Sequence, residues 1–128
     1  MTPLLVMKQL ETALEQYDTG SYGGVSYASL FDQAAVHFLP MVNPDGVSIS
    51  QYGMQGITSP ALRQLVQDAY AKDLAEGRTT QSLERYLTYW KANGRGVDLN
   101  SNFDAGWENL NDLGHPSYAG YRGTAPNS

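Results

Sequence analysis

The chain has 128 residues, 41% hydrophobic and 16% charged, with 8 Lys+Arg against 13 Asp+Glu and a formal net charge of −5. That length and balance suit one folded domain rather than a disordered chain, and the lack of a basic stripe argues against nucleic-acid binding. With no cysteine, disulfides, cysteine nucleophiles and thiolate metal sites are excluded, and no apolar run reaches membrane-spanning length.

The first segment, MTPLLVMKQLETALEQYD, reads as a helix over Thr2–Tyr17. Thr2 is a capping residue and Pro3 suits the first helical position. Val6, Leu10, Ala13 and Tyr17 fall on one stripe, which Met7 and Leu14 widen. The start does not read as a signal peptide; it predicts a cytoplasmic chain if Met1 is the true start.

Residues 19–29 are rich in Gly, Ser and Tyr and read as loop. Ala34–Val42 (AAVHFLPMV) is a short apolar run with β-branched and aromatic residues, the pattern of a buried strand. Asn43-Pro44-Asp45-Gly46 carries the residue order of a tight turn.

Ser59-Pro60 opens a second helix that places Leu62, Leu65, Val66, Ala69, Tyr70 and Leu74 on one side, with Gly77 as its stop. A weaker helical pattern runs from Thr80 to about Trp90, on Leu83, Tyr86, Leu87 and Trp90. Gly96–Asn100 is a second strand candidate. From Asn102 onward the chain reads as loop. Helices alternating with short apolar strands predict an α/β fold.

The stretch RGVDLNSNF (Arg95–Phe103) is unusual. On an extended chain Asp98, Asn100 and Asn102 would share one face. Its surroundings carry a resemblance. WKANGRGVDLNSNFDAGWE (Trp90–Glu108) is similar, at nearly every position, to a motif of the zinc carboxypeptidases, and FLPMVNPDG (Phe38–Gly46) to the strand and turn of their bacterial branch that trims peptidoglycan peptides. The opening helix and the closing YRGTAPNS also resemble family segments. The resemblance implies a three-layer sandwich, a mixed sheet flanked by helices, and a hydrolase of peptides or peptidoglycan stem peptides.

By resemblance, Asp98 corresponds to the carboxylate that hydrogen-bonds a zinc-bound histidine, a contact that orients the ligand. Asn100 corresponds to a residue that binds the substrate's free carboxylate. Ser101 stands where the family has arginine, so the two-pronged carboxylate grip of a guanidinium is missing. Arg95, or else Lys91, corresponds to a further substrate-binding or oxyanion-stabilising arginine.

A catalytic zinc takes about three protein ligands. This chain has two histidines, His37 and His115, and no His-x-x-Glu, Glu-x-x-His or His-x-x-x-His spacing. The resemblance implies the middle portion of a catalytic domain, lacking both segments that carry the family's zinc ligands. No catalytic residue, metal ligand or cofactor is assigned to it. The expected alternatives are a site completed by another chain, or a non-catalytic module that binds peptides or cell-wall fragments. Without the zinc ligands, Asp98, Asn100 and Asn102 read first as strand-end and turn residues. A sheet cut in this way is expected to leave exposed edges and to drive homo-oligomerisation.

Overall fold

In the computed structural model, residues 3–128 are described, and the chain divides after Val42 into two units. In the first unit, α1 (Pro3–Glu15) follows the predicted opening helix. Thr2, its expected cap, lies outside the described residues. The stripe Val6, Leu10, Ala13 and Tyr17 is half-buried, while Met7 and Leu14 are exposed. The Tyr17 hydroxyl donates to Asp32, a bond that raises the phenol's pKa above its ordinary value.

The predicted loop at 19–29 holds more structure than its composition suggests. β1 (Ser21–Tyr22) pairs antiparallel with β2 (Val25–Ser26) across Gly23-Gly24. Both glycines have positive φ, +59° and +81°, as a two-residue hairpin turn of the favoured hand requires. Ser26 then caps α2 (Tyr27–Gln33) by accepting from the Ser29 amide.

Ala34–Val42 forms no strand. The only sheet among the described residues is the two-stranded hairpin, so this run has no neighbour to share its backbone hydrogen bonds. Val36, Leu39, Met41 and Val42 are all more than half exposed. The expected mixed sheet is accordingly absent from the described residues, which form an α/β chain of five helices and one hairpin.

The second unit begins with a correction. Asn43-Pro44-Asp45-Gly46 opens a helix, α3 (Pro44–Tyr52), rather than a tight turn. A type I turn and the first turn of a helix share backbone angles. The cap decides between them here: Asn43 Oδ1 accepts from the Gly46 amide at 3.0 Å, and Pro44 takes the first helical position.

α4 (Pro60–Ala75) has its predicted cap, Ser59, and Gly77 follows it with φ +72°. Val66 and Ala69 of its stripe are buried; Leu74 is exposed. α5 (Leu83–Thr88) is shorter than its sequence pattern, capped by Ser82. These helices meet around Ile49, Val66, Leu87 and Trp90. Tyr86 is the hub, with Tyr70, Trp90 and Tyr118 edge-on at centroid distances of 5.2, 5.9 and 5.1 Å, geometry that adds to the burial of the rings.

After α5 the chain is held by loops. The predicted strand Gly96–Asn100 is not one. Gly96 has φ +74°, and Asp98 bonds its own backbone neighbour to start a 3₁₀ turn at Leu99–Ser101, the local competition that short carboxylates offer to a strand. The rest is loop, as predicted, apart from a 3₁₀ turn at Trp107–Asn109.

Candidate functional site around Asp98

Within the second unit, the NPDG end of the first resembling motif meets the start of the second. Asn43 Nδ2 donates to the carbonyls of Lys91 and Ala92, at 2.8 and 3.0 Å, and the Asp45 carboxylate accepts from the Gly94 amide at 3.2 Å. Gly46 is required by this packing, since a Cβ there would stand 2.7 Å from the Ala92 carbonyl oxygen. NPDG thus clamps WKAN, a role beyond the turn-forming read from the sequence for Asp45.

Asp98 is buried, at 3% exposure. Its Oδ2 accepts from Lys91 Nζ at 2.9 Å and from the Gly120 amide at 3.1 Å, and its Oδ1 accepts from the Asn100 amide at 3.2 Å. Asp98 and Lys91 are therefore brought together. Asn100 is exposed, and only its amide touches Asp98. Ser101 is half-buried, its amide bonded to the Asp98 carbonyl. Arg95 is exposed on the turn before Gly96, and no contact brings its guanidinium to Asp98 among the described residues.

The single polar face read for Asp98, Asn100 and Asn102 does not form. The 3₁₀ turn sends Asn100 outward and the other two inward. Asn102 is 5% exposed, and its Nδ2 lies within bonding distance of the Arg122 and Ala125 carbonyls and of Ser128 Oγ. It fastens the YRGTAPNS segment.

Sequence reasoning missed the network behind Asp98. Asp73 of α4 is fully buried. Its Oδ1 accepts from Arg78 Nε at 3.0 Å; its Oδ2 accepts from Tyr86 Oη at 2.7 Å and Ser117 Oγ at 2.6 Å. Tyr86 Oη in turn accepts from the Tyr118 amide, while the Tyr118 carbonyl accepts from the amides of Lys91 and Ala92. Burial, and after it the Asp73 carboxylate, pushes the Tyr86 phenol far above its ordinary pKa. The available signal was helical spacing: Asp73 follows the buried Val66 and Ala69 on the same face of α4.

A pocket of about 390 Å3 opens beside this network, lined in part by Arg78, Gln81, Tyr89, Lys91 and Tyr118. Nearby, His115 has both ring nitrogens engaged, Nδ1 at 2.9 Å from the Pro116 carbonyl and Nε2 at 3.0 Å from Glu76. Hydrogen bonds from Lys72 and then from His115 hold the exposed Glu76 carboxyl below its usual range.

The residues present do not fit a catalytic zinc. Among the described residues no group of three or more His, Cys, Asp or Glu is arranged to hold a metal. His37 is exposed in the first unit, and His115 is committed to Pro116 and Glu76. No helix among them is long and apolar enough to cross a membrane.

Comparison with known proteins gives a family model described as zinc carboxypeptidase, which matches residues 1–128. The gamma-D-glutamyl-L-diamino acid endopeptidase 1 of Lysinibacillus sphaericus is 31% identical over 128 residues, 98% of this chain and 29% of its own length. The uncharacterized protein YqgT of Bacillus subtilis (strain 168) is 30% identical over 111 residues, 80% of this chain and 24% of its own length. The chain thus spans less than a third of either relative. No solved structure matches it.

Proposed function

The chain belongs to the zinc carboxypeptidase family, and from that premise we propose that its second unit is one wall of a peptidase site for peptidoglycan stem peptides. We further propose that these 128 residues hydrolyse nothing by themselves. One observation carries the reading: the motif that most resembles the family's is folded around a buried, ion-paired Asp98, yet neither histidine is placed with other ligands. The substrate class follows the name of the Lysinibacillus sphaericus relative.

In this reading Asp98 is a positioning residue. Its Oδ1 carries one hydrogen bond, and a carboxylate oxygen has room for a second, such as an imidazole N–H supplied from outside these 128 residues. Exposed Asn100 and Arg95 are the candidate donors to a substrate carboxylate, with Ser101 contributing a hydroxyl where the resemblance calls for arginine.

The test is metal content and hydrolysis. After exposure to zinc and removal of excess, the chain is expected to hold substoichiometric metal and to leave γ-D-glutamyl-diamino-acid stem peptides intact. Stoichiometric zinc together with hydrolysis would overturn the reading. Activity that appears only when a second protein is added identifies the alternative, a site completed by another chain.

The finer architecture belongs to the same proposal. The apolar run 34–42 is the candidate strand of a three-layer sandwich, and becomes one only when neighbouring strands pair with it. Exposed Leu39, Met41 and Val42 then predict self-association of the chain alone. Light scattering at high concentration is expected to give a mass above the 14.0 kDa monomer, lowered by Leu39→Glu. A monodisperse monomer at all concentrations would rule this out.

A further inference from the structure

The pocket beside the Asp73 network has a lining that selects one class of ligand. Two cations line it, Arg78 and Lys91, and no carboxylate does. Each cation is anchored from behind. Arg78 gives Nε to Asp73 and Nη2 to the Ala119 carbonyl, and its Nη1 has no partner among the described residues. Lys91 gives one N–H to Asp98 and leaves the others uncommitted, with its side chain half exposed.

The anchoring carboxylates do not quench these charges fully. Asp73 is shared among Arg78, Tyr86 and Ser117, and Asp98 among Lys91, Gly120 and Asn100. Each carboxylate spreads its charge over three donors. What faces the pocket is therefore a pair of oriented, partly uncompensated cationic donors. Tyr89 of the lining also carries a cation, Arg85, stacked 4.9 Å from its ring centroid.

The remaining lining decides the ligand class. It is mostly apolar surface, with hydroxyls and an amide from the Thr79–Gln81 edge. A strongly hydrated inorganic anion loses more there than it gains. An organic carboxylate with a carbon chain and an amide matches each part: the charge meets Arg78 and Lys91, the carbons lie on the tyrosine rings, and the amide meets the polar edge.

We propose that this pocket binds the carboxylate of an N-acylated acidic amino acid, as found in an acidic peptide segment. That the site thereby recognises a peptidase substrate rests on the reading above; the binding itself does not.

The probe is N-acetylglutamate, titrated into the zinc-free chain and followed by the ring resonances of Tyr89 and Tyr118. Saturable shifts are expected with Kd on the order of 1 mM, the affinity open to so small a ligand. The α-amide of N-acetylglutamine, which carries no carboxylate, should bind about fivefold more weakly or worse, and Lys91→Gln should weaken N-acetylglutamate similarly. Tyr89→Ala alters an exposed residue (55%) outside the core and should weaken binding without unfolding the chain. Inorganic phosphate binding as tightly as N-acetylglutamate would overturn the proposal, as would the absence of any saturable shift. Neither result bears on metal content, so the peptidase reading stands or falls separately.

Discussion

Asp73→Ala is expected to lower the unfolding free energy by about 3 kcal/mol in urea denaturation, among the largest effects of any single substitution here. The carboxylate is fully buried and takes hydrogen bonds from Arg78, Tyr86 and Ser117. Removing it leaves the buried Tyr86 and Ser117 hydroxyls without their acceptor, each at a cost of about 1 kcal/mol or more. Arg78 keeps 32% side-chain exposure and can recover some hydration, which sets the estimate at the low end for a broken buried pair. A second readout is alkaline stability. The Tyr86 pKa is raised in the folded chain by burial first and by Asp73 next. The stability this contributes is present below the unfolded tyrosine value and is lost as pH rises through about 10 and beyond. In Asp73→Ala one of the causes is gone, so the alkaline loss should be shallower than in the parent chain. An equally steep loss would mean that Asp73 does not hold the phenol.

How much of this was legible depended on whether the signal was local. α1 was readable from its stripe, and α4 from its stripe and from end signals that lie within one turn of the residues they control: Ser59 and Pro60 at one end, Gly77 at the other. The strands at 34–42 and 96–100 were misread because a strand is a statement about a neighbour. AAVHFLPMV has strand composition, but nothing among the described residues pairs with it. At 96–100 the local chemistry of Gly96 and Asp98 outweighed Val97 and Leu99. Asn43–Gly46 shows the same contest in reverse, since identical residues suit a turn or a capped helix, and the long-range bonds of Asn43 and Asp45 to residues 91–94 favour the helix.

The site divides along the same line. Asp98 stood out through its motif, and it proves to be buried and engaged. Its ion pair with Lys91, seven residues back, depends on the turn that Asn93 closes with Gly96 and Val97. The amide of Gly120 could not be guessed from spacing, being 22 residues on. Asp73 carries no motif at all. Its partners lie 5, 13 and 44 residues away, and only the fold assembles them.

Gly96→Ala tests whether the Asp98 turn and the Asp73 network are one unit. Gly96 has φ +74°, and an added Cβ would stand 2.7 Å from Pro116 Cβ and 3.1 Å from the Ser117 nitrogen. The backbone strain alone costs about 1–2 kcal/mol, and the overlap raises the expected total to roughly 2–4 kcal/mol. Gly77→Ala separates the two contributions, since Gly77 has φ +72° but open space around it; it should show only the strain. The overlap at Gly96 can be relieved by lifting the 116–117 backbone. That stretches the bond from the Ser117 amide to the Gly96 carbonyl, now 3.2 Å, and draws Ser117 Oγ from Asp73. In the Asp73→Ala background Ser117 no longer has that carboxylate to lose. The double variant should therefore be less destabilised than the sum of the singles, by about 0.5–2 kcal/mol. Additivity within about 0.3 kcal/mol would mean that Pro116-Ser117 does not carry strain from one to the other, and that the wall holding Lys91 and Asp98 is fixed independently of α4.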